Sequence, residues 1–398
     1  MPTYAAGSLG LTVLIAAITS IGPLATDMYL PLLPAIRTSL SATTAEVQAT
    51  LSGFLIGFAL AQLFYGPISD RKGRKPAMIA GLLLFSVGSI ACALAPSIDA
   101  LIAARVIQAL GGAGSIVLAR AMVRDSYEGA RAGRELARIG SIMALVPALA
   151  PMGGAVIGAV SGWRAVFFVM AALGPLMVLL VALRLPETLR HPLSTPFSPL
   201  EMLRDFRHVL RVPQFRHYAL LGSLSFAGFF CFLSGGSFVL QQVYGLSERA
   251  FAASFACPVI GYMTGALLSQ RRVMIWGIDR TLRTGVLICL PMALLMLIAM
   301  TAGFGGALAV IVPMTLYQVG FGLILSQANA GALMPFAERA GSASSLFSVT
   351  QMGLSAAVGA TVGAFLDRTP LALPAGIAAC ALLMVLVLAL GRGSTTRS

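Results

Sequence analysis

The sequence predicts an all-α integral membrane protein of twelve transmembrane helices in two six-helix halves, and three observations predict it. First, 58% of the 398 residues are hydrophobic and only 10% are charged, with a mean hydropathy of +0.90. A soluble domain carries roughly a quarter charged residues, so the solvent for this surface is lipid. Second, apolar runs of about twenty residues recur along the chain, without the period-two alternation of barrel strands. Third, the formal net charge of +13 sits in short gaps between those runs. That is the pattern of the positive-inside rule, not of a nucleic-acid surface.

Twelve spans are read at 9–32, 45–66, 76–95, 98–121, 137–159, 163–184, 216–241, 250–270, 283–302, 304–329, 342–366 and 371–391. The N-terminus lacks a basic region followed by a cleavage site, so the first run is expected to stay as a helix. The gaps after even-numbered spans, with the C-terminal tail, hold 22 of the 27 Lys and Arg residues. The opposite gaps hold Arg37, Arg164, Arg249 and Arg368, and Arg105 is left inside a span. This asymmetry predicts that both termini are cytoplasmic.

The longest gap is basic and rich in proline, and it divides the chain into halves 1–184 and 216–398 joined by a linker at 185–215. Its EMLRDFRHVLR stretch predicts a short amphipathic helix at the lipid surface. His191, His208 and His217 sit in or beside the linker, and none is placed to relay protons through the core. The five cysteines fall in spans with no paired spacing, so they read as packing residues and not as a disulfide or metal cluster. A shift of 209 residues lays Asp70-Arg71-x-x-Arg74 over Asp279-Arg280-x-x-Arg283, a short internal repeat consistent with two related halves.

Between the second and third spans stands Gly66-Pro-Ile-Ser-Asp70-Arg71-Lys72-Gly73-Arg74-Lys75. A basic loop would explain the charges but not the ordered glycines or the embedded Asp70. The residues predict a built joint, with Gly66 and Gly73 allowing close backbone approach and Asp70 capping a neighbouring helix N-terminus. In the fourth span lies Leu101-x-x-x-Arg105-x-x-Gln108-x-x-Gly111-Gly112-Ala113-Gly114. The fifth carries Pro147-Ala-Leu-Ala150-Pro151-Met-Gly153-Gly154-Ala155.

At these motifs the chain resembles the major facilitator superfamily. The loop matches the family signature G-x-x-x-D-R-x-G-R-R/K. The Arg105 stretch is similar to its second pattern, and Pro151 with Gly154 is similar to the G-P-x-x-G-G pattern of antiporters. Ala150 and Ala155 replace that pattern's outer glycines. Thr26-Asp27-Met28-Tyr29-Leu30-Pro31, followed by Pro34, resembles the bicyclomycin- and chloramphenicol-resistance (Bcr/CflA) branch of drug–proton antiporters. The resemblance implies a monomeric carrier of the bacterial inner membrane that exports small drugs in exchange for protons. Because the branch also exports metabolites and peptides, the substrate itself does not carry over.

A charge inside lipid costs about 2.5–3.5 kcal/mol on insertion scales, and by these limits two residues pay it: Asp27 and Arg105. Both fall in the outer half of the bundle at similar depth, and the expectation is a proton-coupling pair. Burial favours the neutral acid, whereas proximity to Arg105 favours the carboxylate. A change in wetting or separation would then load or release one proton, which is the coupling ion in place of any cofactor. A buried ion pair that merely locks the first span to the fourth is the bland alternative.

Ser20, Pro23, Thr26 and Tyr29 in the first span, and Gln108 in the fourth, are expected to line a substrate cavity. Phe54 and Phe58 in the second span, Met143 and Pro147 in the fifth, and Phe226, Phe229 and Phe230 in the seventh are expected to join them. Tyr317, Gln318 and Gln351 complete the set, giving an apolar, adaptable pocket with a few polar groups. The pairs Gly53/Gly57, Gly154/Gly158, Gly261/Gly265 and Gly359/Gly363 are expected to allow close contact between halves, and Pro147 and Pro151 to bend the fifth span. No G-x-x-x-x-G-K-S/T loop, no G-x-S-x-G and no metal-ligand spacing occurs, so the chain reads as neither ATP-driven nor an enzyme. The predicted function is proton-coupled export of small amphipathic drugs by alternating access. Proton-coupled transport of a physiological solute such as a sugar, nucleoside or dipeptide is the alternative.

Overall fold

In a computed structural model of the chain, residues 9–127, 129–143, 145–189, 199–336 and 340–391 are described, and among them every regular element is a helix. Ten helical stretches are long and apolar enough to cross a bilayer. The longest, Glu248–Thr301, would reach about 80 Å, more than twice the thickness of a hydrocarbon core. Within it, α12 (Ala256–Thr301) is interrupted by Gly277 at φ 74° and ψ 173°. That glycine divides α12 into two arms of about 30–36 Å, each the length of a span. Where the fifth span was expected stand α6 (Gly129–Met143) and the shorter apolar α7 (Val146–Ser161). Pro147, in the first turn of α7, has no N–H to offer the carbonyl four residues back, which places the break.

The chain divides into two compact units. Unit 1 is Met1–Ala42 with Gly53–Phe197, and unit 2 is Thr43–Ser52 with Ser198–Ser398. The first turns of α3 (Thr44–Lys72) therefore belong with unit 2 and the rest of α3 with unit 1. In unit 1, α4 (Arg74–Ala93) packs on α5 (Ile98–Ser126) and α8 (Trp163–Arg184), while α1 (Leu9–Asp27) packs on α5, α6 and α7. In unit 2, α12 packs on α13 (Leu308–Leu333) and α15 (Ala372–Gly391). There α10 (Pro213–Phe238) packs on α13, on α14 (Ala340–Leu366) and on α15. In each unit, then, the first span rests on the fourth and fifth, and the third on the fourth and sixth.

The glycine pairs serve this internal packing. A Cβ on Gly57 would stand 3.2 Å from the Val106 carbonyl of α5, and Gly154 abuts the Met28 carbonyl just past α1. Gly261 and Gly265 abut Thr315 and Val319 of α13, and Gly359 abuts Phe230 of α10. The partner of each of these glycines lies in its own half of the sequence, which corrects the expected role between halves for them, whereas Gly363 abuts Gln48 of α3 and joins the two halves as expected. Gly154→Ala is expected to cost about 1–3 kcal/mol by overpacking against backbone that cannot yield. Gly153→Ala, with nothing within 4 Å of its Cβ position, should be neutral. Thermal unfolding of the detergent-solubilised variants checks the difference.

The 209-residue register is also corrected. Asp70 lies in the last turn of α3 before Gly73, whereas Asp279 follows Gly277 in the first turn of the next arm and accepts a 2.6 Å bond from Tyr218. The two halves share a packing order, and the two aspartates do not occupy equivalent places. The expected linker helix forms as α9 (Pro199–Arg211), packed on α10 and α14 through buried Val209, with Leu200, Leu203 and Leu210 exposed. Arg190, His191, Arg339, Arg392 and Arg397 lie outside the described residues. All five cysteines are free, and Cys231 and Cys380, remote in sequence, meet as hydrogen-bonded thiols in unit 2.

Candidate functional site

Asp27 is the last residue of α1 and lies at a break, not within a longer helix. The cause is local. Pro31 cannot donate to the carbonyl of residue 27, so the chain turns and resumes as a 3-10 turn over Leu30–Leu32 and then α2 (Leu33–Ser39). Asp27 is 6% exposed. Its carboxyl Oδ1 lies 3.0 Å from the Thr26 hydroxyl, which is itself 2.8 Å from the Pro23 carbonyl. A hydroxyl has one hydrogen. The Thr26 hydroxyl therefore donates to the Pro23 carbonyl or to Asp27 Oδ1, one at a time.

Arg105 makes no ion pair with Asp27, so the alternative of a pair that merely locks the first span to the fourth is not seen. Its Nη1 donates to the Ala25 carbonyl at 2.9 Å and to Gln108 Oε1 at 2.5 Å. The guanidinium thus caps the last turn of α1, at the negative end of its dipole. Tyr29, Phe54 and Phe167 surround it, with ring centroids 4.5, 4.3 and 5.9 Å from Cζ. The network continues from Gln108 Nε2 to Ser89 Oγ at 2.8 Å and to Met170 Sδ at 3.5 Å. Arg105 is fully buried, yet its Nε and Nη2 donors have no bond among the described residues. A buried guanidinium with two idle nitrogens is a costly arrangement that an anion would relieve.

The cavity candidates separate by burial. Tyr29 and Phe54 belong to the Arg105 cage and Gln108 to its network, while Phe58 packs on Gly22, whose Cβ would lie 2.9 Å from the ring. In unit 2, Phe230 is buried against Gly359 and Tyr317 against Gly228, and Gln318 is buried with Oε1 unbonded. These seven are buried within their own units. Ser20, Pro23, Thr26, Met143 and Pro147 in unit 1 remain half-exposed, as do Phe226, Phe229 and Gln351 in unit 2. Phe226 and Phe229 gather with Tyr262 around Phe321, at centroid distances of 5.4–6.1 Å. Sequence reasoning missed Phe321 and Tyr262, and also Phe167, Ser89 and Met170 beside Arg105. No polarity marked the aromatics, and nothing in the chain ties those positions to a distant arginine.

The loop motif forms a joint with a different capping residue. Arg74 binds Asp70 at 2.5 Å, Asp125 at 3.0 Å and Ser69 Oγ at 2.6 Å. Arg71 Nη1 donates to the Pro67 carbonyl at 2.7 Å, and Lys75 Nζ to the Ala182 carbonyl at 2.8 Å. Glu187, just past α8, accepts the backbone N–H of Arg74 and of Lys75, each at 3.0 Å, and so caps α4. Asp70 does not cap α4; it holds Arg74. Gly73 has φ 98°, and a Cβ there would stand 2.6 Å from Glu187, so glycine is required. Gly66 has nothing within 4 Å of its Cβ position and permits no close approach in this structure. Glu187→Ala is expected to cost about 1 kcal/mol through loss of the cap, read as a lower unfolding temperature. Pro151 and Gly154, the antiporter-like pair, are buried in α7, with Gly154 against the residue that follows Asp27.

Comparison with known proteins follows the same lines. The family model described as Major Facilitator Superfamily matches residues 15–360. The chain is 34% identical to an uncharacterized MFS-type transporter, YdgK, of Bacillus subtilis (strain 168), over 89% of each protein. It is 31% identical to the chloramphenicol resistance protein of Pseudomonas aeruginosa, over 91% of this chain and 85% of that one. Among solved structures, it resembles a bacterial homologue of the human lysosomal transporter Spinster in its inward-facing state. That match has a TM-score of 0.72 at 18% identity, over 96% of both chains.

Proposed function

The chain belongs to the major facilitator superfamily, a family of membrane transporters and not of enzymes, and from that premise we propose that it exports small amphipathic drugs in exchange for protons. The observation that carries the proposal is the site at the end of α1. Among the described residues, a buried acid stands there without a counter-ion, in the same unit as a buried guanidinium with two idle donors. In the cycle, Asp27 releases its proton and the resulting carboxylate is met by Arg105, which the aromatic cage holds ready. Reloading Asp27 restores the neutral acid and frees Arg105. Similarity to a protein named for chloramphenicol resistance favours drugs as the cargo.

The charge asymmetry of the sequence supports cytoplasmic termini and residence in a bacterial inner membrane. The half-exposed aromatics Phe226 and Phe229, with Phe321 beneath them, suit flat apolar molecules. One proton falling through about 100 mV supplies roughly 2.3 kcal/mol, and one pH unit about 1.4 more. Together they sustain a few-hundred-fold gradient of a neutral drug. The test is a susceptibility panel in an efflux-deficient bacterial host. Expression of the chain should raise tolerance to at least one amphipathic drug, chloramphenicol among those tried. Unchanged tolerance to every drug would oppose the proposal and favour a physiological solute as cargo.

A further inference from the structure

Asp27 is not the only carboxylate buried in unit 1. Glu135, on α6, is 3% exposed, although the expected limits of the fifth span left it outside the bundle. Thr12, near the start of α1, donates its hydroxyl to Glu135 Oε1, and Arg138 Nη1 lies 3.3 Å from Oε2. These partners differ in kind. The Arg138 side chain is 58% exposed and meets Glu135 through one long contact within a turn of helix, so water competes for it. The Thr12 hydroxyl donates to a carboxylate or accepts from a carboxylic acid, and serves Glu135 in either state. The Glu135 side chain is itself 4% exposed, which excludes an organic cation and admits a proton.

The other charges around it are few. Arg131, Arg134 and Arg138 share its helix, and α1 carries no charge before Asp27. From α5, which also packs on α6, come Arg120, Arg124 and Asp125, and Asp125 is taken up by Arg74 and Thr188. The pair α6 and α7 holds α1 at both ends: Glu135 at Thr12, and Gly154 and Gly158 at Met28 and Leu32. Thr12 and Asp27 stand about 22 Å apart along α1.

We infer that Glu135 is a second proton-carrying carboxylate of the transport cycle, at the cytoplasmic end of α1. The inference rests on the proton-exchange reading above. The step is a proton transfer alone. Glu135 takes a proton on a carboxylate oxygen as Arg138 turns to water, the Thr12 hydroxyl reverses its bond, and the proton later leaves to cytoplasmic water.

The test is pH-difference infrared spectroscopy of the full chain in phosphatidylethanolamine–phosphatidylglycerol vesicles, without drug, followed by ethidium transport in the same vesicles. Between pH 8 and pH 5 the wild type should gain two protonated-carboxyl components, one missing in Asp27→Asn and the other in Glu135→Gln. Glu135→Gln should also slow pH-driven ethidium transport by about tenfold or more. Glu135→Asp, which keeps the acid, should keep a component even if the Gln variant folds poorly. A Glu135→Gln spectrum identical to wild type overturns the inference, as does loss of the component with transport at the wild-type rate. Failure of the drug-export reading would appear differently, as ethidium left unmoved by the wild type.

Discussion

Asn in place of Asp27 is expected to abolish export against a gradient while leaving the protein folded. The substitution keeps the size and planarity of the side chain, and the Thr26 contact remains available to an amide oxygen. No ion pair with Arg105 exists to be broken, and the chain break after Asp27 is set by Pro31, not by the carboxyl group. The change in stability should therefore stay within about 1 kcal/mol. Function should not survive, because an amide takes up and releases no proton near neutral pH. The few-hundred-fold accumulation allowed by about 3.7 kcal/mol of proton-motive force should fall to equilibrium. Drug tolerance of cells expressing equal amounts of the two proteins reads this directly. Export by Asp27→Asn with undiminished pH dependence would remove Asp27 from the mechanism.

Arg105→Met is expected to separate stability from transport in the opposite sense. The guanidinium is fully buried, touches no carboxylate and leaves Nε and Nη2 unbonded. Three aromatic rings, the Ala25 carbonyl and Gln108 offset part of its desolvation, but a buried charge of this kind is often replaced by an apolar side chain without loss. Methionine has similar length and fits an aromatic cage through its polarizable sulfur. The variant should be as stable as wild type or more stable by about 1–3 kcal/mol, after the loss of one helix-capping bond worth about 1 kcal/mol. Transport should be lost, because nothing then receives the Asp27 carboxylate after proton release. Thermal unfolding in detergent, paired with tolerance measurements, checks both halves. An unfolded Arg105→Met protein would make the arginine a structural cap alone.

How much of this was legible in the sequence depended on how local the cause was. Helices, their approximate limits and the linker helix followed from apolar runs, prolines and the EMLRDFRHVLR pattern, since each is decided within a turn or two of chain. The break after Asp27 was also written locally, in Pro31, although hydropathy alone carried the first span through it. Glu135 was missed because it sits in a polar stretch, RELARIG, that an apolar window excludes while helix packing buries it. The partners of Arg105 were illegible for another reason. Gln108, one turn on in the same helix, could be read beside it, but Ala25, Phe54 and Phe167 come from three other helices, and a carbonyl cap leaves no mark in side-chain identity. Glu187 likewise caps α4 from more than a hundred residues away. Glycine spacing announced close contacts truly but not with whom.

The central claim is that proton movement drives drug movement through this chain. The most direct measurement places the purified protein in sealed vesicles, imposes an acid interior, and follows ethidium uptake before and after nigericin collapses the pH gradient. Uptake well above equilibrium that disappears with the gradient, and is absent in Asp27→Asn, is the predicted result. Ethidium levels that never exceed equilibrium, or an accumulation indifferent to the gradient, would contradict it.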